Sequence, residues 1–205
     1  MTNELANTLP ICYYAFQVVF KEFDNRDLSS EEIKAMFGPS ETGIIRENLT
    51  SLNKEQAIEM YSAKYFEKHS QLVEQNTDID HLIRYIKDMG MKLGIVTGKA
   101  KRSLDISLKA LGMEERFDVI ITGDDVEKPK PHPEGVNKAL SLLGVQNDEA
   151  IFIGDSEADI LAGVQANVYT IGVQWLPDYQ TSDFVTKPNQ VIKSINEFKQ
   201  SIKGI

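Results

Sequence analysis

Apolar residues recur at intervals of three and four along the first third of the chain, the spacing of one face of an α-helix. The first such face consists of Leu5, Leu9, Cys12, Phe16, Val19 and Phe23. A second, short helix is predicted to begin at the capping box Ser29-x-x-Glu32 and to end at Gly38-Pro39. A third helix is predicted from about Asn53 to Ser70. Residues 1–75 are therefore predicted to form an all-helical unit.

The pattern changes at about residue 78, where short apolar runs begin to alternate with helical faces. Strands are predicted at residues 92–96, 118–121, 150–154 and, as the last strand, 168–173. The C-terminal helix is predicted from the face formed by Ile192, Ile195, Phe198 and Ile202. Helices of about a dozen residues between short strands are typical of βαβ units and a parallel sheet. The fold class is therefore α/β, with a domain boundary near residues 75–77 and a second domain over residues 76–205.

The composition excludes several classes of function. A length of 205 residues allows one large domain or two small ones. The net charge of −9 argues against a nucleic-acid partner, although local lysines could still bind a small anion. Cys12 is the only cysteine, which excludes an intramolecular disulfide and a cysteine-based metal site. No stretch has membrane-spanning length and the first residues lack a signal peptide's basic segment, so we expect a cytoplasmic protein without a membrane partner.

Two predicted strand ends carry residues suited to binding a phosphate group. All strands of a parallel sheet open on the same edge at their carboxyl ends, where ligands bind. The turn Thr97-Gly98-Lys99 offers a hydroxyl and backbone amides to a phosphate oxygen, although Thr97 could instead only cap the following helix. Prolines on both sides of Lys130 would hold its side chain in place. The alternative is a solvated, proline-rich loop.

Two aspartates, Asp155 and Asp159, follow the predicted strand at residues 150–154. Two carboxylates so close repel each other unless a positive charge lies between them, and a hard cation with oxygen ligands is the usual solution. The alternative is an acid that is merely favourable at the start of a helix. A hydroxyl, an ammonium group and a cation site on one edge are together the components of phosphoryl transfer.

Three segments, in this order, resemble motifs two, three and four of the haloacid dehalogenase superfamily. They are Ile-Val-Thr-Gly at residues 95–98, Lys-Pro-His-Pro at 130–133 and Ile-Gly-Asp-Ser-x-x-Asp at 153–159. The similarity is greatest to the phosphoglycolate phosphatase-like branch. It implies a Rossmann-like parallel core beneath a helical cap formed by residues 1–75. The segment at residues 36–43 resembles a part of that cap, where we expect substrate contacts.

The resemblance also implies a role for each candidate residue. Thr97 and the Gly98 amide would hold the transferring phosphoryl group, with Lys99 of the same turn as a further substrate contact. Lys130 would neutralise that group and the nucleophile. Asp155 would bind Mg²⁺, and Asp159 would either assist the metal or anchor Lys130.

One motif of the family is missing. Its first strand ends in Asp-x-Asp-Gly-Thr, which supplies the nucleophile and the general acid/base. No such segment occurs in the 205 residues; residues 18–27 contain acids, but the spacing fails and the apolar residues continue the first helical face. The family's first strand lies between the strands that end at Thr97 and Gly154. We therefore expect that the first core strand is missing, either because the chain is a shortened version of a longer protein, the alternative we favour, or because the sheet closes over the gap.

Three functions remain as hypotheses. The first is a Mg²⁺-dependent phosphatase of small phosphorylated metabolites, monomeric or homodimeric, with the chain as given inactive for lack of the nucleophile. The second is a sugar-phosphate mutase of the same branch, which shares all three motifs. The third is a non-catalytic phosphate-binding module, favoured by the missing motif but opposed by the presence of Thr97, Lys130, Asp155 and Asp159.

Overall fold

The computed structural model of the chain describes residues 5–176, 181 and 183–203. The first part of this range is helical, with α1 (Leu9–Asp24), α2 (Ser30–Lys34), α3 (Glu41–Asn48) and α4 (Lys54–Leu72). The second part alternates: α5 (Thr77–Asp88), β1 (Gly94–Val96), α6 (Lys101–Ala110), β2 (Val119–Ile121), α7 (Glu134–Leu143), β3 (Ile151–Gly154), α8 (Glu157–Gln165), β4 (Tyr169–Val173), β5 (Gln190–Ile192) and α9 (Ile195–Ser201). Residues 1–4 of the predicted cap lie outside the described range.

The predicted helical faces are buried as expected from their spacing. Helix α1 buries Cys12, Phe16 and Val19 against α4, where the rings of Phe16 and Tyr61 lie 4.6 Å apart. The predicted capping box at the start of α2 is confirmed, because the Ser29 amide donates to Glu32 at 2.8 Å and the Glu32 amide donates back to the Ser29 hydroxyl at 3.2 Å. Each bond satisfies an amide that the first turn of a helix leaves without a partner.

Two elements were not predicted correctly. Ile192 does not belong to the C-terminal helix: it lies in β5, which pairs in parallel with β4 and makes β5 the last strand, and α9 begins at Ile195. The spacing from Ile192 to Ile195 fits a helix by coincidence, since Ile192 is buried at the end of β5, where it pairs with Val173 of β4. Helix α3 was missed because its apolar residues are limited to the pair Ile44 and Ile45, which shows no periodicity.

The strands form two separate parallel sheets, β1–β2 and β3–β4–β5. Among the residues that the structure describes, no ladder joins β1 to β3, so the sheet does not close over the gap by pairing these two strands. The division falls where the family resemblance places its first strand. The predicted α/β class with parallel strands is confirmed.

The helical part packs directly on the α/β part. The largest cluster of buried apolar residues runs from α1 and α4 into Ile95 of β1 and Leu104 and Leu108 of α6. The assignment of residues 1–75 and 76–205 to a cap and a core domain stays a prediction. Within the described ranges, no helix has both the length and the apolar character required to cross a membrane.

Candidate functional site

The carboxyl ends of β1 and β3 and the loop before α7 open into one cavity of about 510 Å³. All six predicted site residues line it: Thr97, Gly98, Lys99, Lys130, Asp155 and Asp159. The helical part supplies the opposite wall, which includes Cys12, Phe37, Pro39 and Glu41. The structure therefore brings together residues that are up to 62 positions apart in the predicted motifs.

Hydrogen bonds from the main chain and from Thr97 shape the turn after β1. The Thr97 amide continues the β1–β2 pairing by donating to the Ile121 carbonyl at 2.9 Å, and the Thr97 hydroxyl accepts from the Lys99 amide at 3.2 Å. Helix α6 begins only at Lys101, and its N-cap residue Ala100 makes no side-chain cap. Thr97 is therefore not the helix cap, which was the alternative role for this residue. Backbone amides at the start of a helix favour a negative group, and here the carboxylates of Glu41 and Asp124 accept from the Ala100 and Lys101 amides.

Lys130 is directed at the sheet edge rather than into solvent. Its ammonium nitrogen donates to Asp159 Oδ1 at 2.5 Å and to the Val96 carbonyl at 3.2 Å. The loop that carries it is shaped by Glu134, whose carboxylate accepts from the amides of Glu127 at 3.1 Å and Lys128 at 3.0 Å. The alternative of a solvated proline-rich loop does not describe this side chain, which is only 15% exposed.

Asp159 lies in the first turn of α8 and has both carboxylate oxygens engaged. Oδ1 accepts from Lys130, while Oδ2 accepts from the Ser156 amide at 3.2 Å and from the Ser156 hydroxyl. The helix packs so tightly on β3 that a Cβ on Gly154 would lie 2.1 Å from Asp159 Cβ, which leaves glycine as the residue that fits. Of the two roles foreseen for Asp159, the structure shows the contact that anchors Lys130; direct assistance to a metal stays a prediction.

The buried ion pair between Asp159 and Lys130 predicts acid sensitivity. Burial alone would raise the pKa of Asp159, but the Lys130 ammonium and the Ser156 hydrogen bond lower the pKa to about 2. Because this pKa is depressed in the folded state, its stabilising effect is complete above the unfolded value near 3.9 and disappears as the pH falls through about 2. We expect the free energy of unfolding to fall by about 2 kcal/mol more between pH 5 and pH 2 in the wild type than in Asp159→Asn.

Denaturant unfolding of both proteins across this pH range measures the difference. The exposed Asp148 gives a control, since Asp148→Asn should keep the pH dependence of the wild type. Equal pH dependence in the wild type and Asp159→Asn would contradict the ion pair.

The residues present fit a Mg²⁺ site of limited strength. Asp155 is buried, directly follows β3 and lines the cavity. Mg²⁺ commonly binds one or two carboxylates and completes its shell with water and substrate phosphate oxygens. Within residues 5–176, 181 and 183–203, no group of three or more His, Cys, Asp or Glu side chains is arranged to hold a metal. Asp155 is thus the carboxylate best suited to the ion, and a bound phosphate would have to supply further oxygens.

Lys99 lines the cavity, but its ammonium group is engaged within the protein. It lies 3.3 Å from Glu41 Oε1, 3.1 Å from Cys12 Sγ and 4.9 Å from the centre of the Tyr65 ring. Burial opposes the charged form, yet contacts with Cys12, Tyr65 and Glu41 raise the pKa of Lys99 well above its ordinary value. Lys99 is therefore a buried cation, and its predicted contact with substrate stays a prediction.

Sequence reasoning missed the partner of this cation. Glu41 is 5% exposed, and its second oxygen accepts from the Ala100 amide. Next to it, Asp124 accepts from the hydroxyls of Ser40 at 2.9 Å and Thr42 at 3.3 Å and from the Lys101 amide at 2.8 Å. The only signal was the position of Glu41 inside the cap segment at residues 36–43.

Comparisons with known proteins identify the family of the chain. The family model of haloacid dehalogenase-like hydrolases matches residues 3–173. Pyrophosphatase PpaX of Bacillus pumilus is 35% identical over 200 residues, which cover 96% of this chain and 91% of that protein. The crystal structure of CbbY from Rhodobacter sphaeroides in complex with phosphate superposes with a TM-score of 0.82 at 21% identity, covering 95% of this chain and 91% of that one.

A "predicted phosphoglycolate phosphatase" from Haemophilus somnus superposes with a TM-score of 0.82 at 18% identity, covering 97% of this chain and 93% of that one. At these identities the two solved structures show a common fold. The predicted class of enzyme, a hydrolase of phosphoric esters, is confirmed by the family match and the curated relative. The chain belongs to the family of haloacid dehalogenase-like hydrolases.

Proposed function

We propose that this chain derives from Mg²⁺-dependent phosphatases of small phosphorylated metabolites. Its 205 residues would supply the phosphate-binding and metal-binding parts of such an enzyme. The observation that carries the proposal is the meeting of Thr97, Gly98, Lys130 and Asp155 in one cavity, with Lys130 fixed by Asp159. A hydroxyl, an amide, an ammonium group and a carboxylate lining one cavity are the groups that a phosphoryl group and its cation require.

Each residue has a separate role in this proposal. The Thr97 hydroxyl and Gly98 amide orient the phosphoryl group, and Lys130 offsets its negative charge. Asp159 holds Lys130 in place through the contact at 2.5 Å. When bound at Asp155, Mg²⁺ would supply further stabilisation of negative charge on the phosphoryl oxygens. No attacking step is assigned to these residues, because the 205-residue sequence lacks the Asp-x-Asp-Gly-Thr segment.

Inorganic pyrophosphate is the first substrate to test, because the curated relative is named a pyrophosphatase. The cavity of about 510 Å³ lies in the size range of sites for organic ligands, so larger phosphate esters also remain candidates. Residues 1–75 would act as the cap that closes over the substrate, with contacts from residues 36–43. A cytoplasmic monomer or homodimer remains our prediction.

A non-catalytic phosphate-binding module is the second candidate, and the missing motif is the observation that favours it. The two candidates predict different results when an Asp-x-Asp-Gly-Thr segment is added to the chain. Only a phosphatase would then hydrolyse substrate. A sugar-phosphate mutase shares the same site residues, and only analysis of the products distinguishes it from a phosphatase.

The metal part of the proposal predicts weak Mg²⁺ binding that depends on Asp155. Titration of Mg²⁺ into the chain in the presence of inorganic phosphate should give a measurable affinity, reduced about tenfold or more in Asp155→Asn, because a neutral amide replaces the carboxylate. The control is Asp148→Asn at an exposed site, which should bind as the wild type does. Equal affinities in the wild type and Asp155→Asn would remove Asp155 from this role.

A further inference from the structure

The start of α3 is docked onto the turn that begins at Thr97. Glu41, the first residue of α3, accepts from the Ala100 amide and from the Lys99 ammonium group at 3.3 Å. On the other side of the turn, the Gly123 amide donates to the Lys99 carbonyl at 2.8 Å. Gly123 approaches so closely that an added Cβ would lie 2.4 Å from the Gly98 carbonyl oxygen. The turn is thus held between the segment that follows β2 and the helical part.

Stability alone does not account for a carboxylate at this position. Glu41 and Lys99 form an ion pair whose side chains, taken without their backbone atoms, are only 7% and 8% exposed. Removing two charges from water costs free energy that their attraction often fails to recover, and apolar replacements of such pairs are often neutral or stabilising. What the pair does provide is one defined arrangement of Lys99 and Ala100, the two residues that follow the Thr97-Gly98 phosphate site.

We propose that Glu41 is a positioning residue: by binding the Ala100 amide and the Lys99 ammonium group, it holds the turn in the form in which Thr97 and Gly98 receive a phosphoryl group. This inference rests on the proposed function, since it assumes that Thr97 and Gly98 bind phosphate. It assigns to a residue of the helical part an effect on the phosphoryl site that is exerted through the turn.

The change in phosphate affinity when Glu41 is replaced distinguishes a positioning role from a simple charge effect, because the two predict changes of opposite sign. A carboxylate beside an anion site repels phosphate, so its removal alone would tighten phosphate binding. A positioning residue has the opposite effect, because phosphate must then order a looser turn as it binds. We expect Glu41→Gln to bind inorganic phosphate about tenfold more weakly than the wild type, the scale of one hydrogen bond to a charged group.

Titration calorimetry with inorganic phosphate and Mg²⁺ provides this measurement. Glu47→Gln is the matched control, since Glu47 is an exposed acid on the same helix and its variant has the same net charge. Unchanged or tighter binding by Glu41→Gln, with normal binding by the wild type, would overturn this inference and leave the proposed function standing. Absence of phosphate binding by the wild type would overturn the proposed function and this inference with it.

Cys12 gives an independent readout of the docking. It is the only cysteine of the chain, is buried, and lies beneath Lys99 in the same cavity. Reaction with a chromogenic aromatic disulfide should be slow in the wild type and should become slower when phosphate binds, because binding and docking favour each other. In Glu41→Gln we expect a rate about tenfold higher and no protection by phosphate. Equal phosphate protection in both proteins would also overturn the inference.

Discussion

Hydrolysis of pyrophosphate and p-nitrophenyl phosphate by the 205-residue chain is expected to stay at the background rate, with or without Mg²⁺. Displacement at phosphorus needs an oxygen in line with the leaving group, and Lys130 and a cation only stabilise the charge that this attack creates. Loss of a nucleophile typically costs about 10⁴-fold or more in turnover. No aspartyl phosphate should be detectable after rapid acid quench of the reaction.

The complementary experiment adds the Asp-x-Asp-Gly-Thr segment that the 205 residues lack. A version of the chain extended at its N-terminus by about 20 residues, enough for a strand of about five residues and an Asp-x-Asp-Gly-Thr turn, should hydrolyse these substrates. The control is the same extension with its first aspartate changed to asparagine, which should stay inactive. Mg²⁺-dependent hydrolysis by the unextended chain, lost in Asp155→Ala, would show that another residue is the nucleophile.

In the extended chain, Lys130→Ala should lower kcat by about 10²- to 10³-fold, the usual cost of losing one strong electrostatic donor at the transition state. The change also leaves the buried Asp159 carboxylate without its ammonium partner, so the free energy of unfolding should fall by about 3 kcal/mol. Steady-state kinetics and denaturant unfolding measure the two effects.

Lys128 provides the comparison for this prediction. It precedes the Lys-Pro-x-Pro segment, its side chain is exposed, and only its backbone amide binds Glu134. Lys128→Ala should therefore leave both kcat and stability close to their original values. Similar losses in the two variants would mean that the phosphoryl-binding lysine has been wrongly assigned.

The local features of the fold could be predicted because they depend on neighbouring residues. The capping box at Ser29 and Glu32, the start of α4 after Asn53, and the strand that ends at Gly154 all follow from spacing within a few positions. Ile192 was wrongly assigned to a helix because its structure depends on a residue distant in sequence. Whether a short apolar run becomes a strand depends on the ladder available to it, here Val173 of β4, and periodicity carries no information on that.

For the candidate site, too, some features could be predicted from the sequence and others could not. The motif residues could be singled out, and their placement at strand ends follows from the parallel topology. The pair Glu41 and Lys99 joins residues 58 positions apart, and the pair Ser40 and Asp124 joins residues 84 apart. No local pattern predicts such contacts, because each side chain considered alone resembles an ordinary acid, hydroxyl or lysine on a helix. These contacts form only because the helical part packs on the α/β part.

The mixed walls of the cavity have a consequence for ligand design. One end presents Thr97, Lys130 and Asp155, while the other presents the ring of Phe37, stacked on Tyr13 at 6.1 Å, and Pro39. Inhibitors of this site need not be diphosphate mimics. A compact phosphonate head group would use the polar end, and a flat aromatic extension would gain affinity from Phe37 and Pro39. Selectivity among related enzymes would then come from the extension, since the polar end is built from the segments that resemble the family's motifs.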